Sequence, residues 1–469
     1  MVISRGERSG MELLQGRFKV SYNHKLGEGS FACVYKGLDM ESNHQVAVKM
    51  YNMDPGGDAS FKVEDAIACM RPSIEVLKSI RRDNASFSGQ MPKDAVAVSP
   101  QAMSRRSSFI ASLIEEDVAR SIKGTLEEAR KIASKLDLAQ CFVKLLGHSQ
   151  DTAGHPGVDL ESEKLFIVTE LGAQSLADCL AAHSERRTSF SLDQLRQLQW
   201  DLVSIVCALH AVGFVHLDIK PQNIVRASSG WKLIDFDGAV KTHTKVKYHH
   251  LITSPWYMAP EIAAALSPAR EASSEARDEV LVSRLMDVWS AGMCALEAVF
   301  LQPVLRPWYV EWMTSTGNEG KFLQWLGDYT QPVMDDSMCK ATGSISSEMS
   351  MLLQRMLAKD PSDRACIAEC LVHSWFKPIR NCMWRAADNV MRKDELKLPE
   401  RKEECWSPRL SPLRVPYGFD IRLSAQSLLS SGRQSPRSPR LSAQSLLGSG
   451  RQSPGSPRRG SASRLCTTM

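Results

Sequence analysis

Two polar clusters in this chain have the side chains needed to handle phosphate. His216-Leu217-Asp218-Ile219-Lys220-Pro221-Gln222-Asn223 lies just past an apolar helical stretch, and Asp235-Phe236-Asp237 just past the apolar run Leu233-Ile234. Asp218, Lys220 and Asn223 are close enough to converge from one loop. Carboxylates and an amide oxygen are the hard ligands that magnesium takes, and magnesium in turn holds phosphates. Ordinary polar turn residues are the plainer alternative. Upstream, Leu26-Gly27-Glu28-Gly29-Ser30-Phe31-Ala32-Cys33-Val34 joins two strand candidates. Small residues there let a backbone turn approach phosphates and donate its N–H groups, although a glycine-bearing hairpin reads the same way. The turn leads into a strand, which fits neither a P-loop nor a dinucleotide fingerprint. Lys49 ends the apolar strand Val46-Ala47-Val48. Strand alternation keeps Ala47 and Lys49 on one face, where an ammonium can meet polyphosphate but needs an anionic partner if buried. Glu128 is the preferred partner, with Glu127 as its rival.

The elements that must position these groups follow from periodicity. Lys19–Lys25, Ala32–Leu38, Gln45–Met50, Phe142–Leu146 and Leu165–Glu170 read as strands, and Ile224–Val225 and Trp231–Ile234 as a short pair. Thr125–Leu138 is helical, with Leu126, Ala129, Ile132 and Leu136 on one face. Long helices are expected at Leu192–Val212 and Leu281–Phe300, and shorter ones at Ser347–Ala358 and Cys366–Leu371. A small strand-rich half therefore precedes a larger helical half, with the boundary near Leu171–Gly172. Residues 1–17 read as an extension. About 58–124 reads as an insertion, although a helix around Val63–Ile80 lies within it, and 266–284 reads as an enlarged loop.

Of 469 residues, 43% are hydrophobic and 24% charged, enough for a real core. The net charge of +5 is mild and largely local, so no specific nucleic-acid binding is expected. Twelve cysteines without CxxC pairs suit buried thiols in a reducing compartment. The chain lacks an apolar run of about 18 residues, and its N-terminus lacks the apolar core of a signal peptide. A soluble protein of the cytoplasm or nucleus is the expectation. From 377 to 469 the composition turns basic and rich in serine, proline and arginine, with an 18-residue duplication at 423–440 and 441–458. A disordered, phosphorylatable arm is the physical reading.

Taken together, these motifs resemble a eukaryotic protein kinase catalytic domain from 18 to 376. The family's glycine-rich loop is similar to Leu26–Val34, its strand lysine to Lys49, its catalytic loop to His216–Asn223, and its metal-binding motif to Asp235-Phe236-Asp237. Ala259-Pro260-Glu261, Asp287-Val288-Trp289-Ser290 and Arg364 follow in the family's order. The resemblance implies an α+β, bilobal fold: a small antiparallel-sheet N-lobe (18–170) with one key helix, and a larger, mainly helical C-lobe (171–376). It implies ATP and Mg2+ as cofactors and protein substrates. Lys49, fixed by Glu128, would hold the α/β-phosphates. Asp218 would accept or orient the substrate hydroxyl proton, Lys220 would stabilise the transferring phosphoryl group, and Asn223 and Asp235 would bind magnesium. The nucleotide would lie against Leu26, Gly27, Gly29, Ser30, Val34 and Ala47. Thr169 resembles the small residue at the back of the adenine pocket, and Glu170 to Gly172 the hinge whose backbone bonds adenine.

Lys220 with Pro221, and Ser254 as that lysine's support, resemble the serine/threonine form. Three residues depart from the pattern: Ala32 for the loop's third glycine, Leu217 for the arginine that gathers an activation-segment phosphate, and Asp237 for the glycine of Asp-Phe-Gly. Losing that glycine should restrict the hinge, or the added carboxylate should change metal handling. The competing functions are a nucleotide-binding pseudokinase scaffold and a small-molecule kinase. Basic residues from 241 to 250 suggest steering of an acidic substrate. Arg105-Arg106-Ser107-Ser108 and the Ser-Pro steps at 407, 411, 435, 438, 453 and 456 suggest an upstream kinase or regulatory partner.

Overall fold

A six-stranded antiparallel sheet and a helical body meet at the loops that carry Asp218 and Asp235. The computed structural model describes residues 11–29, 31–53, 63–85, 123–137, 140–247, 250–267, 279–316 and 319–383. The strands are β1 (Met11–Leu14), β2 (Phe18–Glu28), β3 (Ala32–Asp39), β4 (His44–Tyr51), β5 (Leu145–His148) and β6 (Phe166–Glu170), in the order β1-β2-β3-β4-β6-β5. Period-two alternation sorts β4 cleanly. Val46, Val48 and Met50 enter a core on one face with Phe18, Val20 and Phe166, while Ala47, Lys49 and Tyr51 take the other. Register places Val34 opposite both Gly27 and Lys49, so the lysine lies under the glycine turn.

Helix α1 (Val63–Ala85) packs beneath the sheet with Ala66, Met70, Ile74 and Leu77 buried. The stretch read as an insertion at 58–124 thus begins with the N-lobe's own helix, and the stretch read as an extension (1–17) contains β1, paired along β2. Helix α2 (Lys123–Ala133) has the expected buried face, but packs on α11 (Ile367–Val372) of the C-lobe. The chain also continues as packed structure past 376: the Arg380 guanidinium is buried and donates to the Leu371 and His373 carbonyls.

Helices α3 (Leu176–Arg186) and α4 (Leu192–Ala211) each start on a serine capping box, at Ser175 and Ser191, which satisfies the first free amides. Three two-stranded ribbons carry the site loops. β7 (Phe214–Val215) pairs with β10 (Val240–Lys241), β8 (Ile224–Ala227) with β9 (Gly230–Leu233), and β11 (Lys245–Lys247) with β12 (Glu279–Leu281). Helix α5 (Pro260–Leu266) precedes β12, and α6 (Leu285–Phe300) is the buried axis of the lobe. Leu281, expected to open that helix, instead lies in β12. Helices α7 (Arg306–Thr316), α8 (Gly320–Leu326), α9 (Asp336–Ile345) and α10 (Ser347–Met356) complete the body. Arg364 ties it together: its two terminal nitrogens grip both oxygens of Glu261 at 2.8 Å, and its remaining N–H groups reach three carbonyls.

No helix of the described residues is long and apolar enough to cross a membrane, and their cysteines are all free. Arg105 to Ser108, the Ser-Pro steps and the duplication lie outside the described residues.

Glu297 on α6 is buried and accepts a hydrogen bond from the Tyr257 hydroxyl at 2.6 Å. Burial pushes its carboxyl up to about 7 from an ordinary 4.5. The native group therefore keeps a proton that the unfolded chain releases between those values. Its contribution to unfolding free energy must fall as pH rises through that window. Urea unfolding at pH 5 and pH 8 is expected to show a smaller loss of stability in Glu297→Gln than in the wild type. An equal loss in both would contradict this assignment.

Candidate active site

The catalytic-loop cluster hangs from one buried aspartate. Asp287, fully buried at the start of α6, accepts from the backbone amides of His216 at 2.9 Å and Leu217 at 3.0 Å, and bonds His210 Nε2 at 3.0 Å. Leu217 sits at φ 68°, a left-handed conformation that a γ-branched residue rarely adopts. Asp287 holds it there, while the Leu217 side chain joins the apolar core. That turn delivers Asp218. The Lys220 ammonium donates to Asp218 Oδ2 at 2.7 Å and to Ser254 Oγ at 2.9 Å, and the Ser254 hydroxyl donates to Asp218 Oδ1 at 2.7 Å. The Asn223 amide nitrogen donates to the Asp218 carbonyl at 2.9 Å. All four side chains are buried.

The second cluster adjoins the first through the backbone, where the Ile234 amide donates to the Asn223 carbonyl at 2.9 Å. Asp235 follows at φ 66°. Phe236 is buried between His216 and Phe142, with ring centroids 5.3 and 5.8 Å away, and so wedges the turn in place. Lys49 Nζ then donates to Asp235 Oδ1 and to Asp237 Oδ2, both at 2.5 Å. The other Asp237 oxygen accepts from the Tyr51 hydroxyl at 2.9 Å and the Ser73 hydroxyl at 2.8 Å. Burial would lower the Lys49 ammonium, but the Asp235 and Asp237 carboxylates outweigh it and hold it above its ordinary value. Burial, with Asp237 beside it, pushes the Tyr51 phenol well up, so it stays a donor.

The expectation that Glu128 fixes Lys49 is therefore corrected. Glu128 is half exposed on α2 and lies 3.6 Å from Arg380 in the C-lobe; its rival Glu127 lies beside Arg130. The helix that packs on the sheet, at β5 and β6, is α1, whose Glu64, Asp65 and Glu75 are exposed. Asp237, noted in the sequence only as a departure, supplies the missing carboxylate. Its backbone is not in the left-handed region, so the position does not require glycine. Tyr51 and Ser73 were missed; only strand alternation at Ala47, Lys49 and Tyr51 carried a signal for the first.

The structure brings Leu26, Gly27, Gly29, Val34 and Ala47 to the strands around Lys49, while Ser30 lies outside the described residues. Thr169 pairs across from Ala47. Glu170 takes the Lys144 amide at 2.9 Å and the Lys232 ammonium, and its own amide is taken by the Lys144 carbonyl. Gly172 has a packing reason to be glycine: a Cβ there would sit 2.6 Å from Val225. Among the described residues its backbone has no partner within the chain.

A model of the protein kinase domain matches residues 111–376, more than half of the 469 residues. The chain belongs to the protein kinase family. The match includes α2 and the helical lobe, whereas β1 to β4 and α1 precede it. This kinase is 24% identical over 245 residues to the human "MAPK/MAK/MRK overlapping kinase", covering 49% of this chain and 54% of that protein. It is 25% identical over 207 residues to bovine "Mitogen-activated protein kinase 13", covering 41% and 52%. It is 29% identical over 181 residues to "Calcium-dependent protein kinase 15" of Oryza sativa subsp. japonica, covering 38% and 28%. The chain thus spans about half or less of the length of these three relatives.

Tyr51→Phe removes one donor from a buried carboxylate and is expected to cost about 1–3 kcal/mol in urea unfolding. Glu128→Ala, breaking a half-exposed contact, is expected to cost at most about 1 kcal/mol. It should also leave any affinity for ATP unchanged by calorimetry. A larger effect at Glu128 on either measure would contradict the assignment of Asp237 as the partner of Lys49.

Proposed function

We propose that this kinase transfers the γ-phosphate of ATP, with magnesium, to serine or threonine hydroxyls of protein substrates. The observation that carries the reading is the buried Asp218–Lys220–Ser254–Asn223 network. Lys220 and Ser254 fix both oxygens of Asp218, so the carboxylate is held in one orientation before any acceptor arrives. Asp218 would take the acceptor hydroxyl's proton as the new O–P bond forms and the bond to the ADP oxygen breaks. Lys220, held on the same carboxylate, would offset charge on the transferring phosphoryl group. Ser254 bridging Asp218 and Lys220 supports the serine/threonine form.

The donor set fits magnesium: the Asn223 amide oxygen and the Asp235 carboxylate are hard ligands, brought together by the Ile234–Asn223 bond. Magnesium, when bound, would neutralise phosphate charge. Gly27 fits a phosphate site, because no described residue lies within 4 Å of where its Cβ would stand and their packing does not demand a glycine. The Gly172 backbone, without a partner among the described residues, suits an adenine edge. Lys49, aligned by Asp237, would hold the α/β-phosphates.

Magnesium-dependent incorporation of phosphate from ATP into a mixed serine/threonine peptide set tests the reading. Asp218→Asn is expected to lower the rate by about 10²–10⁴-fold while leaving the fold intact by circular dichroism. Binding of magnesium–ATP without transfer by the wild type would overturn the catalytic reading and favour a nucleotide-binding scaffold.

A further inference from the structure

The stretch between Asp235 and Glu261, the activation segment, is anchored at both ends by contacts at the active site. At its start, β10 pairs with β7, and the Thr242 amide donates to the Gly213 carbonyl at 3.0 Å. At its end, Ser254 bonds Asp218 and Lys220. Between these anchors it is held by β12, from the stretch that follows α5. Lys245 pairs with Leu281, Val246 with Val280, and Lys247 with Glu279. The pairing extends one step further: the Val282 amide donates to the Thr244 carbonyl at 3.0 Å, and the His243 amide to the Val282 carbonyl at 3.3 Å.

Period-two alternation turns Val280 and Val282 inward, where they are 7% and 1% exposed, and Val246 packs on the same core. Lys245, Lys247, Glu279 and Leu281 face solvent. The ribbon is thus seated on the helical lobe by three valines and ties the middle of the segment to the residues that open α6. That helix carries Asp287, which holds Leu217 and so Asp218. One rigid element therefore fixes both the catalytic loop and the segment beside it. Leu217 is apolar and buried, so it offers no charge with which to gather a phosphate.

We propose that Glu279–Val282 is a positioning element for phosphotransfer: paired with Thr244–Lys247, it holds the activation segment in its catalytic arrangement without a phosphate on that segment. The proposal rests on the kinase reading above. A ladder of backbone hydrogen bonds over a buried valine row does here what a charge-paired phosphate would otherwise do. Its effect falls on the peptide substrate, because the nucleotide side of the cleft is built by β2 to β4 and by Asp237.

The test uses the full chain, freed of phosphate by a phosphatase and checked by mass spectrometry of the peptides covering 238–258. Rates are measured with varied peptide and varied ATP. The phosphate-free wild type is expected to be as active as the untreated protein. Val282→Pro removes the amide that donates to the Thr244 carbonyl, and Val246→Pro removes one from the other strand. Each is expected to lower kcat/KM for peptide by at least about tenfold while KM for ATP stays within about twofold, since misplacement of one substrate is costly. Leu281→Thr, at an exposed position of the same strand, leaves every ladder amide in place and is expected to behave as wild type.

A wild type active only when the segment is phosphorylated would overturn the proposal and leave the kinase reading standing. So would folded proline variants with unchanged peptide kinetics. A wild type inactive in both phosphorylation states would instead count against the kinase reading. The phosphatase comparison needs no variant, so misfolding of the proline forms would not leave the proposal untested.

Discussion

A lysine ammonium that is largely buried must be paired, and in this kinase that requirement organises the cleft. Lys49 reaches the interior because β4 alternates, and burial there would drive off its proton without anions beside it. Helix α1, packed on the sheet beside it, offers Ser73 and Cys69 on that side, and among the described side chains its acids are exposed. Asp237 meets the need from the other lobe. One of its oxygens holds Lys49, and the other collects the hydroxyls of Tyr51 and Ser73. A single carboxylate thus joins strand, helix and the turn after β9. Because Asp235 lies two residues away on the same turn and shares Lys49, its carboxylate is positioned by the same contact. A buried ion pair is weak evidence for added stability, since desolvation offsets much of the attraction. What the pair secures is geometry: removing either partner leaves a buried charge exposed to that penalty.

The catalytic loop depends on a parallel device in the helical lobe. Asp287 accepts two consecutive amides and so maintains Leu217 in a left-handed turn, at a conformational cost on the order of 1–3 kcal/mol. The two devices meet at Phe236, packed against His216 on one side and Phe142 on the other. Asp218 and Asp235 are therefore set by different anchors, one in α6 and one at Lys49, joined by a buried aromatic contact and one backbone hydrogen bond.

The parts of this arrangement that were legible in the sequence are those whose chemistry is local. Asp218, Lys220 and Asn223 fall within one loop, and the strand carrying Lys49 announces itself by alternation. The catalytic helix was not legible in the same way. Residues 125–138 and 63–80 both read as helical, and both have a buried face. Periodicity says that a face is buried, not which lobe buries it. Glu128 was favoured because it lies on the clearer helix, yet Arg380, its neighbour, lies beyond the expected domain boundary. Asp237 was visible as a departure, but its partners Ser73 and Tyr51 are 164 and 186 positions away. The three-residue strand β12 is too short to show a period, and its apolar residues were absorbed into the start of the following helix.

Asp237 takes the place of a helix carboxylate, and exchanging one for the other tests this most directly. Magnesium–ATP affinity by titration calorimetry would be measured for Asp237→Gly and for Asp237→Gly with Ser73→Glu. The single variant leaves Lys49 without its second anion and is expected to lose at least about tenfold in affinity, since one tenfold step is only about 1.4 kcal/mol of the several at stake in a buried pair. The glutamate at 73 restores a carboxylate from the helix side and is expected to recover most of that loss. Undiminished affinity in Asp237→Gly would contradict the claim, because Lys49 would then be held without it.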